Sequence, residues 1–394
     1  MKKCIIFPIF MILIIALAGC FDSPDDEDFI LALNNNGADG DALPEELYYN
    51  ESTVFDLPGA GSLTRIGFSF NGWNTESDGS GVAYIAGASF IMPGENITLY
   101  AQWVFAPATL DYTDLVTVTG GIYTHTDTVN FTSNSFTHTI SSYKIGKYEI
   151  TYELWYVIRK WAEENSYYFE HDGEEGHPGI GGVFPGTDKY EPVMTISWRD
   201  AIVWCNAYSE LSGLTPTYLD EDENVIKDSR DANADDCDNA VWNHSANGYR
   251  LPSEGEWHYA ASARGVTPYY YAAGCTDTYT NETALAQVAW YRTNAYIIGM
   301  ADPNYGTHNV GTKLSNSLDL YDMSGNAPER CWDWYADSPT QSQNDYYGPV
   351  DGIQRVIRGG GWQSYPQSII IGARSNSSPD IDGITGLRIA KNAD

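Results

Sequence analysis

The sequence predicts an α+β chain in which a small β unit precedes one large, irregular domain. Three observations lead there. Residues 63–73, LTRIGFSFNGW, set Ile66, Phe68 and Phe70 in alternation, as on a half-buried strand. Beyond residue 110, Thr151, Ser197 and Ser253 each stand where a side-chain oxygen can cap a helix start. Between and after those starts run long stretches rich in Gly, Asn, Asp and Tyr, so loop outweighs regular structure. A length of 394 residues allows two or three domains, and a 43% hydrophobic, 14% aromatic composition supplies a sizeable core and argues against disorder.

In chain order, Lys2 and Lys3 precede a short apolar run over 5–17, and Leu17-Ala18-Gly19-Cys20 closes it with small residues. Residues 1–19 therefore read as an export leader, and the apolar run is too short to span a bilayer comfortably. The closing site resembles the lipobox of bacterial lipoproteins. That resemblance implies lipidation of Cys20 as the first mature residue, and an exported protein anchored to the membrane, at the cell surface, without spanning it. Residues 20–37 open acidic and end in an Asn run, a tether by composition. The formal net charge of −32 excludes sequence-independent nucleic-acid binding, because phosphates are repelled.

Residues 38–104 form the β unit. Asp78-Gly79-Ser80-Gly81 is turn chemistry, and Ile97, Leu99, Tyr100 and Trp103 mark its closing strand. The motifs GWN, DGSG, MP and LYAQW within this stretch resemble the Listeria–Bacteroides repeat of internalin-type surface proteins, which implies a β-grasp-like spacer. One copy is present, so there is no repeat array. Residues 105–109 read as a linker and 110–394 as the large domain.

In the large domain, Thr151 caps a helix with Leu154, Val157, Ile158 and Trp161 on one face. Ser197 with Asp200 makes a capping box for a helix that turns Ala201, Cys205, Tyr208 and Leu211 inward and stops at Gly213. Ser253 with Glu256 repeats the device, with Arg250 and Glu254/Glu256 expected as an ion-pair framework around it. Trp257, Trp332 and Trp334 are expected in the core. Four cysteines remain besides the leader and Cys20: Cys205 and Cys331 fit buried thiols, while Cys237 and Cys275, in polar stretches, are the expected disulfide pair.

Five motifs occur in a fixed order: 146–151 (GKYEIT), Pro192-Val193 with Ser197-Trp198, 248–257 (GYRLPSEGEW), 320–326 (LYDMSGN), and 358–362 (RGGGW) followed by 386–388 (GLR). Together they resemble the sulfatase-modifying-factor family, the domain of formylglycine-generating enzymes, over about 110–392. The resemblance implies a C-type-lectin-like fold. It also implies copper held by two cysteines just after the Arg-Gly-Gly motif, where soft sulfur suits Cu(I). Here the position matching the first is Ser364, the second falls near Ile369, and no cysteine follows Cys331. No copper is therefore expected, nor the family's known activity.

The seven histidines form neither an i,i+4 zinc pair nor an HExxH motif. The family's structural calcium would fall on the Asp322 and Glu329 side chains and the Gly325 and Ala327 carbonyls, hard oxygens in a close loop. Pro328 and Arg330 replace family tryptophans beside them, and a calcium-free turn is the alternative. The segment 363–385 resembles the variable regions of diversity-generating retroelement proteins, which use this fold. On that resemblance the contact residues are Gln363, Ser364, Tyr365, Gln367, Ser368, Ile369, Ile371, Asn376 and Asp382, facing a protein or glycan ligand. The alternative is that Ile369–Ile371 is a buried strand and the rest loop. Two functions follow: a surface ligand-binding protein with a catalytically inactive domain, or an enzyme of the family with altered chemistry.

Overall fold

A computed structural model describes residues 28–39, 46–129, 132–267, 270–275 and 281–393. The leader and Cys20 lie outside them. Two compact units meet in sequence between Val104 and Phe105.

The first unit is a five-stranded mixed sheet whose centre is a parallel pair, Asp28–Asn34 beside Ile97–Phe105. The expected acidic tether is thus corrected over 28–34: Leu31 and Leu33 alternate into the core with Trp73, Phe90 and Leu99, and that burial outweighs the acidic flank. Asp78 closes its turn by accepting the Ser80 N–H at 3.0 Å.

In the second unit a long hairpin, Gly121–Val129 with Thr132–Ile140, stands beside a three-stranded sheet of Leu115–Val118, Tyr143–Gly146 and Ala390–Asn392. A four-stranded sheet orders Ser375–Ser377, Arg355–Arg358, Glu329–Trp334 and Gly386–Leu387. The capped helices form as their local signals demand. Tyr152–Glu164 starts under Thr151, which accepts the Leu154 N–H. Trp198–Leu211 and Glu254–Ala261 carry complete capping boxes at Ser197/Asp200 and Ser253/Glu256.

Arginines tie these layers together. Arg250, Arg330, Arg355, Arg358 and Arg388 are all buried. Arg250 pairs with Glu256 at 2.7 Å as expected, but Glu254 does not join it. Glu254 instead receives Arg374 at 2.6 Å and Arg358 at 2.9 Å, partners brought by the C-terminal arm. Arg355 lies between the Trp198 and Trp334 rings, 3.6 and 3.4 Å from their centroids, a cation–π stack that places Trp332 and Trp334 at the edge of an aromatic cluster. The expected Cys237–Cys275 disulfide is absent. Cys237 donates to the Asp228 carbonyl, whereas Cys275 packs with Tyr271, Leu285 and Ile369, so the two thiols serve different local cores. Cys205 and Cys331 are buried thiols, as expected.

Candidate functional site

The strand Arg355–Arg358 delivers the chain to three glycines, and the chain then doubles back. Gly360 has φ +64, and a Cβ there would lie 2.6 Å from the Ser368 carbonyl oxygen. A Cβ on Gly361 would meet Pro328 Cδ at 2.7 Å. Only glycine lets 359–361 run this close to both 326–328 and 368–369. The Gly325 N–H donates to the Gly359 carbonyl at 3.0 Å and the Trp362 N–H to that of Asn326 at 2.8 Å, locking the crossing.

Trp362 is buried beneath His177, Tyr296 and Tyr305, with ring centroids at 5.5, 5.4 and 5.1 Å. Ser364 closes the next turn. Its N–H donates to Gly361 O at 2.8 Å, its Oγ accepts the Gly361 N–H at 3.0 Å, and its carbonyl accepts the Arg292 N–H at 3.0 Å. Arg292 then lies over the Tyr365 ring at 4.4 Å. Gln363, Ser364, Tyr365, Gln367 and Ser368 thus form one continuous surface turn, with Tyr365 and Ser368 exposed and the other three half-buried. Ile369 and Ile371 leave the contact set. Both are buried, Ile369 against Tyr271, Leu285 and Tyr291, because this apolar stretch supplies a core that the neighbouring loops lack. Asn376 stands opposite Val356 on the edge strand, and Asp382 lies 3.8 Å from His171 Nε2.

The residues expected from the family resemblance to hold calcium form a second region behind the glycines. Asp322 and Glu329 are buried, and Asp322 Oδ2 accepts the Gly311 N–H at 2.7 Å. Glu329 receives Arg388 Nη2 at 2.7 Å and the Trp257 indole N–H at 2.7 Å. Glu149, which the sequence reading missed, is a third buried carboxylate here. It accepts the Asn326 amide at 2.7 Å and the Ala327 N–H at 2.8 Å. Burial, with Asp322 and Glu329 nearby, pushes Glu149 well above the usual carboxylate range, and burial raises Asp322 to about 6. Its signal was a charged residue set between Tyr148 and Ile150 just before a helix cap, a place for an inward-facing acid. Among the described residues, no group of three or more His, Cys, Asp or Glu side chains converges as a metal site.

Comparison with known proteins identifies both units. The profile of the sulfatase-modifying factor enzyme 1-like domain matches residues 101–393, and that of the Listeria-Bacteroides repeat domain matches 32–102. "Chaperone protein LppX" of Paenibacillus barcinonensis is 33% identical over 264 residues, 64% of this chain and 79% of the relative. The formylglycine-generating enzyme of Streptomyces coelicolor is 35% identical over 156 residues, 37% of this chain and 48% of the enzyme, so the match spans about half of that protein. Among solved structures, Treponema denticola variable protein 1 superposes with a TM-score of 0.57 at 29% identity, covering 71% of this chain and 95% of that one. CarF superposes at 0.54 with 24% identity over 72% of this chain and 99% of its own, a likeness of fold.

Proposed function

The chain belongs to the sulfatase-modifying factor enzyme 1-like family, and from that membership we propose that it is an exported, lipid-anchored ligand-binding protein whose family domain has lost copper chemistry. One reading of the sequence carries the proposal: by resemblance to the family, Ser364 and a position near Ile369 stand where its copper cysteines would be, and no cysteine follows Cys331. Ser364 has its hydroxyl committed to the Gly361 N–H, and Ile369 is wholly buried. Neither a hydroxyl nor an aliphatic chain substitutes for a thiolate on Cu(I). The contact surface is then the turn from Gln363 to Ser368, with Asn376 and Asp382 on the adjoining arm, and the ligand a protein or glycan. Two likenesses support a binding role: one solved relative is titled a variable protein and one sequence relative a chaperone. The Leu17–Cys20 site supports lipid anchoring, and the first unit serves as spacer.

The test has two arms. Purified protein supplied with copper and a cysteine peptide forms no formylglycine; measurable turnover would establish the alternative, an enzyme with altered chemistry. For diversification of this segment, an adenine-rich near-copy of the codons for 358–391 is expected beside a reverse-transcriptase gene, and a complete genome lacking both refutes it.

The family's calcium also belongs here as a proposal. Oxygen donors and buried carboxylates raised by burial suit a hard cation, which would offset charge that Arg388 alone does not. Asp322, Gly325, Ala327 and Glu329 would hold it, with Glu329 also bound to Arg388. Calcium is expected to raise the melting temperature by several degrees, reversed by chelator, as binding to the native state alone requires. A melting temperature indifferent to both means a calcium-free turn.

A further inference from the structure

A separate cleft of about 210 Å³ opens between the long hairpin and the segments that follow the third capped helix. Its hydroxyls come from Thr124, Thr126, Thr128, Ser133, Ser262 and Thr267. Thr126 is paired with Ser135, Thr128 with Ser133, and Ser262 with the Tyr259 carbonyl and the Gly265 N–H, each keeping spare acceptor capacity, and Thr124 and Thr267 stand at the open edge. The three threonines share one face of the strand Gly121–Val129, because side chains two apart point the same way. Ile370 and Ile371 form an apolar part of the lining, and Tyr270, 47% exposed, stands at the rim.

The lining carries no formal charge, a property it shares with the adjoining cleft around Thr267 and Ser315–Ser317. With a net charge of −32, most surface is expected to be acidic, yet none of the twelve lining residues is Asp, Glu, Lys or Arg. The one titratable base, His258, is held neutral: burial, helped by His125 and Arg358, keeps its pKa well below the usual value. Its Nε2 donates to the Thr126 carbonyl at 3.0 Å, which leaves Nδ1 a bare acceptor, and that atom is buried without a protein partner. At the far end the space is kept by Gly372, where a Cβ would lie 2.8 Å from the Thr126 carbonyl and 3.0 Å from Thr128 Oγ1.

Hydroxyls act as both donor and acceptor, so a row of them matches a ligand that is itself rich in hydroxyls. An aromatic rim and an isoleucine pair suit the apolar face of a sugar ring. The volume holds one such ring and falls below the roughly 300–1,000 Å³ of pockets for drug-sized ligands. We propose that this cleft binds a neutral monosaccharide unit, free or at the end of a glycan. It does not draw on the turn Gln363–Ser368, so either site can fail alone.

The experiment is saturation-transfer NMR and calorimetry on the full chain with glucose, N-acetylglucosamine, their β-linked disaccharides and glucuronate. A neutral sugar is expected to bind and glucuronate, repelled by the acidic chain, to bind at least tenfold more weakly. Preference for the monosaccharide marks a free ligand, and preference for the disaccharide a glycan end. Thr124→Val and Thr267→Val, both at the solvent edge, should weaken binding at least fivefold while leaving the melting temperature unchanged. Absence of signal from every neutral sugar at 20-fold excess, or binding unaltered in both variants, overturns the proposal.

Discussion

Arg388→Met is expected to destabilise the second unit by about 3–5 kcal/mol, the usual cost of removing one partner from a buried ion pair. Arg388 is wholly buried and Glu329 with it, at 2.7 Å. The guanidinium does more than neutralise Glu329. It also donates to the Gly146 carbonyl at 2.9 Å and the Tyr321 carbonyl at 2.7 Å, joining three segments far apart in sequence. Methionine fills similar volume but leaves two carbonyls without donors and Glu329 uncompensated beside Glu149 and Asp322. Urea unfolding followed by tryptophan fluorescence measures it. Adding Glu329→Gln to the variant should recover about 1–3 kcal/mol, since the orphaned charge is then gone. A single-variant loss below about 1 kcal/mol would falsify the view of this pair as a tie across the fold.

That tie illustrates where local sequence stops informing. The capping boxes at Ser197 and Ser253 were legible because donor and acceptor lie three residues apart. The RGGGW motif announced a tight backbone crossing, since three glycines in a row demand one somewhere, and the chain makes it at 359–361. Partner choice was not legible. Glu254 lies four residues from Arg250, yet its partners Arg358 and Arg374 arrive more than 100 residues later. Ile369 and Ile371 read either as variable-loop residues, sitting among Ser, Asn and Gly, or as a buried strand; the fold buries them, in two neighbouring clusters and without a strand. The strand Asp28–Asn34 did carry its alternation, at Phe29, Leu31 and Leu33, but the acidic residues ahead of it suggested a tether. Arg330 is a further case: it stands where the family has tryptophan, and it reaches the carbonyls of Ile196 and Ile381 at 2.6 Å each, pinning the arm that carries Asp382.

Glu191→Gln is expected to stabilise the protein increasingly as pH rises. The Glu191 carboxyl is wedged between Gly176, where a Cβ would lie 1.9 Å from Oε2, and Thr307, whose hydroxyl donates to it. Burial, aided by Asp188 and Glu175 and opposed by the Thr307 hydrogen bond, raises its pKa from 4.5 to about 8. A carboxyl raised in the folded state holds its proton more tightly there than when unfolded. Its contribution is therefore complete below about pH 4.5 and is lost as pH climbs through about 8, at up to about 1.4 kcal/mol per unit. Partial access of solvent to the group reduces the total, and about 2–3 kcal/mol is expected between pH 4.5 and 8. Glutamine keeps an acceptor for Thr307 and cannot ionise, so variant and wild type should match near pH 4.5 and diverge above it. Urea unfolding of both at pH 4.5, 6.5 and 8 reads the difference, and a gap independent of pH would remove Glu191 from the account. The consequence reaches the proposed ligand face. Thr307 Oγ also accepts the His177 N–H at 2.7 Å, and His177 packs on Trp362 beneath the turn Gln363–Ser368. The cost of burying the ionised Glu191 carboxylate falls on this same linked group, so ligand affinity in the wild type is expected to fall above pH 8 while that of the glutamine variant holds.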